Sequence, residues 1–274
     1  MTELKDTKII AFATLKGGVG KTTLSFNIGC IIAAEGKNVL MIDADPQSNL
    51  TSNFNYDIYS KEAPTIRTIL EAQDNQPDPA DLIIKSPIEA IPTLDLIPNT
   101  MWSYLTEENL SSRSYREKIL LEYFNENENF FRQYDYVIFD CNPGIGLVNQ
   151  NVFTLADQIL MISDPDVNSA RGSDLFVRMW MMKKDKSSPL KITGLIMNNI
   201  EKTNISNDLK KYLSNHELFG KITLEHSIPH TTSFKDATSN NIPLFLLKKS
   251  GSGIASAKVA LNNLVSEMYE RSIL

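Results

Sequence analysis

Apolar runs alternate with helical patterns along most of the chain. Runs rich in β-branched residues predict strands over 8–15, 38–45, 94–99, 134–140, 158–164 and 191–199. Amphipathic or apolar stretches predict helices over 21–36, 113–131, 147–156, 169–184 and about 254–271. Continuous apolar strands separated by helices indicate an α/β fold, a mostly parallel central sheet with helices on both faces. Ligands of such sheets bind beyond the carboxyl ends of the strands.

The least regular part of the chain is about 46–112, which has scattered prolines and little periodicity. It could hold a small second domain. We expect instead a set of short helices and loops attached to the same sheet, because no linker composition separates it from the rest. Residues 1–274 are therefore predicted to form a single domain.

Composition and charge favour a globular cytoplasmic protein and argue against several other classes. The chain has 274 residues, of which 42% are hydrophobic and 22% charged, an ordinary globular composition. Its N-terminus lacks a signal-peptide core, and no apolar run approaches the roughly 20 residues of a membrane span, so we expect a cytoplasmic protein. Cys30 and Cys141 lie outside any C-x-x-C pair, which argues against a zinc or thioredoxin-like site. The net charge of -6 argues against a coat of positive charge but allows a local basic patch.

The stretch TLKGGVGKTT, residues 14–23, has the features of a phosphate-binding loop, because it follows a strand and opens a helix. The standard pattern G-x-x-x-x-G-K-[ST] requires glycine where this chain has Leu15, and the next residue, Lys16, is an added cation. Backbone N–H groups of the glycine-rich turn can form an anion nest at the helix N-terminus. Lys21 would reach the β- and γ-phosphates, and Thr22 would offer its hydroxyl to Mg²⁺. The predicted nucleotide-binding residues of this loop are Gly17, Gly18, Val19, Gly20, Lys21, Thr22 and Thr23.

Carboxylates that could hold metal and position water follow two other strands. VLMIDADPQ places Asp43 and Asp45 at the end of one strand, and YVIFDCNPG places Asp140 at the end of another. An aspartate that ends an apolar strand is the Walker B arrangement, so we predict Asp43 and Asp140 in the Mg²⁺ shell. Two structural alternatives stay open, a strand-end hydrogen-bonding role for Asp43 and a cap on the turn at Pro46 for Asp45.

Three motifs together carry a family resemblance. KGGVGKTT, IDADPQSNLT and VIFDCNPG resemble the deviant Walker A, Walker A′ and Walker B motifs of the ParA/MinD family of ATPases, and the resemblance is strongest in 9–50 and 134–165. It implies ATP and Mg²⁺ as ligands. It also implies that Lys16 is the signature lysine, which crosses a nucleotide-sandwich dimer to touch the phosphates bound by the other subunit. Asp45 would position the attacking water, and Asp140 would orient the metal through water.

The resemblance extends, more weakly, to residues that would lie near the base. IMNNI resembles the segment whose asparagine packs near the adenine, which implies Asn198 or Asn199. SIPHTTSFKDATSNNIPLF resembles the segment in which a proline lines the base, which implies Pro229.

Several branches of the family share these motifs, and side chains elsewhere discriminate among them. Iron–sulfur carriers and nitrogenase-type reductases need cysteines placed to bridge two subunits, and Cys30 and Cys141 are not so placed. The MinD-like branch binds membrane through a basic amphipathic C-terminal helix. Here Glu267 and Glu270 offset Arg271, so a packed core helix is the better interpretation and no membrane is expected. The related bacterial tyrosine kinases carry a C-terminal tyrosine cluster that this chain lacks.

The DADPQSNLT segment is typical of the short ParA-type plasmid and chromosome partition proteins. About eight residues precede the first strand, so we expect no N-terminal helix-turn-helix domain. The resemblance implies a nucleoid-associated homodimer in the ATP state, nonspecific DNA binding, and a ParB-like centromere-binding partner that stimulates hydrolysis. A MinD-like positioning ATPase on a membrane or scaffold remains an alternative. A nucleotide-gated binding module with negligible hydrolysis is another, against which Asp45 counts.

Phosphate contact without base readout needs lysines and arginines on one surface. The predicted DNA contacts are Arg171, Arg178, Lys183 and Lys184 in one cluster and Lys248 and Lys249 in another. Lys186 accompanies the first cluster and Lys258 the second, and Lys202, Lys210 and Lys211 form a third. A solvated charged face is the alternative for each cluster taken alone.

Overall fold

A seven-stranded sheet forms the centre of the protein in a computed structural model, which describes residues 7–73, 75–201, 203–249 and 251–274. The strands are β1 (Lys8–Ala13), β2 (Val39–Ala44), β3 (Ile84–Lys85), β4 (Leu94–Ile97), β5 (Tyr136–Cys141), β6 (Gln158–Ser163) and β7 (Ile192–Met197). Their order is β3-β4-β2-β5-β1-β6-β7, and every neighbouring pair is parallel except β3 and β4. The prediction of a mostly parallel sheet is therefore confirmed.

Helices follow or connect the strands. They are α1 (Lys21–Ala34), α2 (Asn49–Asn53), α3 (Ile66–Glu71), α4 (Pro79–Leu82), α5 (Thr106–Ser111), α6 (Ile119–Glu126), α7 (Glu128–Phe131), α8 (Leu147–Leu155), α9 (Val167–Lys183), α10 (Asn204–Asn215), α11 (Phe219–Ile222), α12 (Ser233–Thr238) and α13 (Ser252–Glu270). Two short 3₁₀ turns cover Met101–Leu105 and Leu244–Leu246.

The core has two layers, one on each face of the sheet. In β1, Ile9 and Ala11 belong to one layer, and Ile10 and Phe12 belong to the other, as the two-residue period of a strand requires. Side chains of α3, α6, α8 and α9 cover the first layer, and those of α1 and α13 cover the second. Burial on both faces explains why the strands are continuously apolar in sequence.

The structure corrects three details of the element prediction. Within 46–112 the short helices appear as expected, but Ile84–Lys85 adds an antiparallel edge strand that is too short to show a period. The helix predicted over 113–131 is shorter and is interrupted at Asn127, whose backbone leaves the helical conformation between α6 and α7. The helix Asn204–Asn215 was missed because its polar sequence resembles a loop.

Register brings the predicted site residues to one edge of the sheet. Asp43 of β2 pairs with Asp140 of β5, and Asp140 also lies opposite Phe12 of β1, two residues before the loop begins. The carboxyl ends of the three central strands therefore meet the N-terminus of α1.

Helix α13 confirms the interpretation of a packed C-terminal helix. Its buried residues include Leu261, Leu264, Val265 and Met268, which belong to the same core layer as α1. In the part of the chain that the structure describes, no helix has the length and apolar character needed to cross a membrane.

Candidate nucleotide site

The loop between β1 and α1 has the backbone of an anion-binding turn. Gly18 and Gly20 have backbone φ values of 80° and 85°, which residues other than glycine rarely adopt. A Cβ at Gly20 would also collide with Nδ2 of Asn198. That amide donates a hydrogen bond to Val19 O at 2.8 Å, so Asn198 braces the loop itself.

Lys21 stands at the centre of the site and is 5% exposed. Its Nζ lies 2.8 Å from Oδ1 of Asp140 and 3.9 Å from Oδ2 of Asp45. Burial by itself lowers the pKa of Lys21, but attraction to Asp140 and then Asp45 outweighs it and raises the pKa above its usual value. The ammonium is therefore charged at neutral pH, as phosphate binding requires.

The Asp140 carboxylate accepts hydrogen bonds from two hydroxyl groups of helix α1. The Thr22 hydroxyl donates to its Oδ2 at 2.7 Å, and the Ser25 hydroxyl donates to its Oδ1 at 3.0 Å. Ser25 was not among the predicted residues. Its position four residues after Lys21, on the same helix face, is the signal that could have identified it.

The Thr22 hydroxyl and the Asp140 carboxylate are hard oxygen donors that lie next to each other. Mg²⁺ is bound in such sites through one or two protein oxygens, with waters and substrate phosphates completing its shell. The pair therefore fits the ion. Among the residues that the structure describes, no group of three or more His, Cys, Asp or Glu could hold a metal without substrate.

The Asp43 carboxylate is occupied by hydrogen bonds from its own strand end and from helix α2. It is fully buried and accepts hydrogen bonds from Thr51 N, Thr51 Oγ1 and Asp45 N at 2.8, 2.7 and 3.1 Å. Burial first, and then the nearby charge of Asp140, raise the pKa of Asp43 to about 7 against these hydrogen bonds. The geometry favours the strand-end hydrogen-bonding role over metal binding.

Asp45 faces Lys21 and is 5% exposed. One oxygen accepts a hydrogen bond from Gln47 N at 2.9 Å, which is the cap of the turn at Pro46, and the other approaches Lys21. Burial raises the pKa of this carboxyl, partly opposed by Lys21. A carboxylate with raised basicity beside the phosphate-binding lysine can accept a hydrogen bond from water.

Lys16 pairs with residues at the start of α9 and shares no partner with Lys21 among the described ion pairs. Its side chain is 43% exposed, and Nζ lies 2.7 Å from Oδ2 of Asp166 and 3.1 Å from Oγ of Ser169. The hydrogen bond and charge of Asp166 raise the pKa of Lys16. Partial burial alone raises the pKa of Asp166, but the bonds from Lys16 and Ser169 bring it down to about 2. The two side chains form an ion pair that links the loop to the N-cap of α9.

The residues predicted near the base lie beyond the ends of β6 and β7. Asn198 is 4% exposed, and Asn199 donates from Nδ2 to Oδ1 of Asp164 at 2.9 Å. Pro229 is joined to this region by an isolated parallel bridge with Ile200. Asn198 contacts the phosphate loop through Val19 O, and Asn199 and Pro229 are joined to the chain next to it.

The loop after β5 touches the phosphate loop and was not predicted. Gly144 N donates to Thr14 O at 2.9 Å. Farther along, the carboxylate of Glu107 accepts from Leu147 N and Val148 N at 2.6 and 3.1 Å and so caps α8. Glu107 lies 40 residues away in sequence, so no local pattern signals this contact.

The predicted basic clusters differ in the exposure of their side chains and in the partners that these side chains have within the chain. Arg171, Arg178 and Lys183 are exposed on α9, and Arg178 makes a surface pair with Asp174 at 2.7 Å. Half-buried Lys184 donates to Asp185 O at 3.1 Å, where the helix ends.

The other two clusters are partly committed to contacts within the chain. Lys248 and Lys249 are exposed, and Lys249 pairs with Asp236 at 3.2 Å. Lys258 donates to Phe245 O and Leu247 O at 3.2 and 2.9 Å. Lys202, of the third cluster, lies outside the described residues.

A mostly parallel sheet covered by helices, a glycine-rich loop with a buried lysine, and a hydroxyl–carboxylate pair at the strand ends define a P-loop nucleotide-binding protein.

A family model described as "AAA domain" matches residues 7–192. The sporulation initiation inhibitor protein Soj of Bacillus subtilis is 31% identical over 248 residues, which cover 87% of this chain and 90% of that protein. The chromosome partitioning protein ParA of Caulobacter vibrioides is 29% identical over 262 residues, with 89% and 90% covered.

A solved structure shares the fold of this chain. A putative plasmid partition protein from Borrelia burgdorferi B31, bound to AMPPNP, superposes with a TM-score of 0.77 at 23% identity, over 97% of this chain and 99% of that one. The protein belongs to the ParA/MinD family of ATPases, within the Soj/ParA-type partition proteins. The resemblance seen in the motifs is thus confirmed.

Proposed function

We propose that this chain hydrolyses ATP to drive DNA partition, as an ATP-dependent homodimer that binds DNA nonspecifically. The observation that carries the proposal is the separation of two lysines in one loop. Lys21 is buried against Asp140 and Asp45, whereas Lys16 is exposed and pairs with Asp166 at the start of α9. One lysine is available for bound phosphate, and the other is available for a second molecule.

Each group of the site has a role in the proposed hydrolysis of ATP. The loop amides and Lys21 bind the β- and γ-phosphates, and Asp45 orients a water for in-line attack on the γ-phosphorus as the bond to ADP breaks. Thr22 and Asp140 would hold Mg²⁺, which neutralises phosphate charge when bound. Asn198, Asn199 and Pro229 would lie along the base.

Dimerisation would bring a second lysine, Lys16 of the other subunit, to the bound phosphates. In a face-to-face dimer, Lys16 leaves Asp166 and meets the phosphates of the other subunit, where a second cation stabilises the charge of the transition state as an arginine finger does. Hydrolysis then depends on assembly. A centromere-binding protein with a ParB-like role would stimulate this slow step and release the dimer from DNA.

Helix α9 is the face that we assign to DNA. It carries exposed Arg171, Arg178 and Lys183, and its N-cap, Asp166, is the residue that holds Lys16. The pair between Arg178 and Asp174 is a surface pair of the kind that contributes little and is readily exchanged for phosphate. Contacts of this kind give affinity without sequence preference.

Co-sedimentation tests the proposed function. The protein is mixed with plasmid DNA or with anionic liposomes in the presence of ATP, ADP or no nucleotide, and ATP hydrolysis is measured in parallel. We expect ATP turnover and sedimentation with DNA in ATP alone. ATP-dependent sedimentation with liposomes instead would support the MinD-like alternative, and binding without turnover would support the nucleotide-gated module.

A charge-removal pair separates the α9 face from the other basic surfaces. Arg178→Ala with Lys183→Ala is expected to weaken ATP-dependent DNA binding and to lower the slope of log K against log salt by about 2, because two phosphate contacts are lost. Binding is measured by fluorescence anisotropy at several salt concentrations. Lys210→Ala with Lys211→Ala removes the same charge from α10. An equal loss in this control pair would contradict the assignment to α9.

A further inference from the structure

A closed circuit of hydrogen bonds surrounds the backbone of Asp45. On one side, Asp45 N donates to Asp43 Oδ1 at 3.1 Å. On the other side, Asp45 O accepts from Nδ2 of Asn99 at 3.1 Å. The two peptide groups that flank the Asp45 side chain are therefore both held.

Thr51 closes the circuit. Its hydroxyl donates to Asp43 Oδ2 at 2.7 Å and accepts from Asn99 N at 2.8 Å. Thr51 and Asp43 are fully buried, and Asn99 is 1% exposed. Water cannot replace these bonds without opening the site, so the four residues form one rigid unit.

The circuit brings together three segments that are distant in sequence. Asp43 and Asp45 end strand β2, Thr51 lies in α2, and Asn99 follows β4. Asn99 Oδ1 also accepts from Thr100 N at 2.9 Å and from the Ser103 hydroxyl, which orients the amide so that Nδ2 points at Asp45. The arrangement acts on the position of Asp45 and leaves its carboxylate facing Lys21.

We infer that Thr51 and Asn99 are positioning residues for ATP hydrolysis, which fix the Asp45 carboxylate through its backbone. The inference rests on the proposed function. The side-chain hydrogen bonds of Thr51 and Asn99 go to the circuit and to Thr100 and Ser103, and none goes to the phosphate loop or to Lys21. Their loss should therefore change the rate of the chemical step and leave ATP binding in place, since displacement by about 1 Å can cost 10²-fold in rate.

Thr51→Val tests the inference because it keeps the shape of the side chain and removes the hydroxyl. We expect kcat to fall by about tenfold or more, with KM and the affinity for a fluorescent ATP analogue within about twofold of wild type. Thr51→Ser keeps the hydroxyl and is expected to retain most of the wild-type kcat. Asn99→Asp, which removes the donor to Asp45 O, should reproduce the loss of kcat.

A stability control separates positioning from general damage. Thr7→Val removes another buried hydroxyl, which donates to Phe131 O at the amino edge of the sheet, and should lower the melting temperature without lowering kcat. Wild-type kcat in Thr51→Val, or a loss in Thr51→Ser equal to that in Thr51→Val, would overturn the inference while leaving the proposed function intact. Absence of ATP turnover in the wild-type protein would overturn both.

Discussion

Asp45→Asn is expected to bind ATP normally and to hydrolyse it about 10²-fold or more slowly. The asparagine can still accept the hydrogen bond from Gln47 N, so the turn at Pro46 should persist. What it loses is the charge beside Lys21 and the basicity that burial gives to the carboxylate. Single-turnover hydrolysis and size-exclusion chromatography in ATP should therefore show slow chemistry and a long-lived dimer.

A second carboxylate in the same part of the chain serves as the control. Asp57 is exposed and accepts from Tyr59 N within its own loop, so Asp57→Asn should hydrolyse ATP at the wild-type rate. Unchanged turnover in Asp45→Asn would remove this residue from the mechanism. Equal losses in the two variants would show that the effect is not specific to the site.

Lys16→Ala is the other substitution with a large expected effect. It should retain the affinity for ATP, because Lys21 and the loop amides are untouched, and it should lose ATP-dependent dimerisation. The cap of α9 survives the change, since Asp166 Oδ1 still accepts from Asn168 N and Ser169 N. Sedimentation velocity with a non-hydrolysable ATP analogue measures the dimer directly.

Lys37→Ala is the matched control, because Lys37 is an exposed lysine at the opposite edge of the sheet, between α1 and β2. It should dimerise as the wild type does. A normal dimer in Lys16→Ala would contradict the role assigned to this lysine, whatever its effect on turnover.

The loop and the strand-end carboxylates could be predicted from sequence because their signals are local. A strand, a glycine-rich turn and Lys21 are consecutive, and the apolar runs that end at Asp43 and Asp140 fix which edge of the sheet they reach. The same reasoning could not decide the role of Asp43. The sequence around a strand-end aspartate is the same whether the carboxylate binds a metal or accepts hydrogen bonds from Thr51. The difference depends on how helix α2 packs against the end of β2.

Two of the contacts that sequence reasoning missed join segments that are distant in sequence. Lys16 meets Asp166 across 150 residues, and Thr51 meets Asn99 across 48. Neither partner has an unusual local pattern, since Asp166 looks like an ordinary N-cap and Asn99 like an ordinary strand-end residue. The packing of α9 against the sheet brings Asp166 to Lys16, and the pairing of β4 with β2 brings Asn99 to Thr51 and Asp45.

Mixing two inactive variants shows whether Lys16 acts on the nucleotide of the other subunit. Lys16→Ala and Asp45→Asn are combined in equal amounts before ATP is added. In the mixed dimer, the site of the Lys16→Ala subunit has its own Asp45 and receives Lys16 of the partner subunit. Each mixed dimer then has one intact site of two, so hydrolysis should rise above that of either variant alone, to at most about half of the wild-type rate. A mixture no more active than its two components would mean that Lys16 does not act across the dimer.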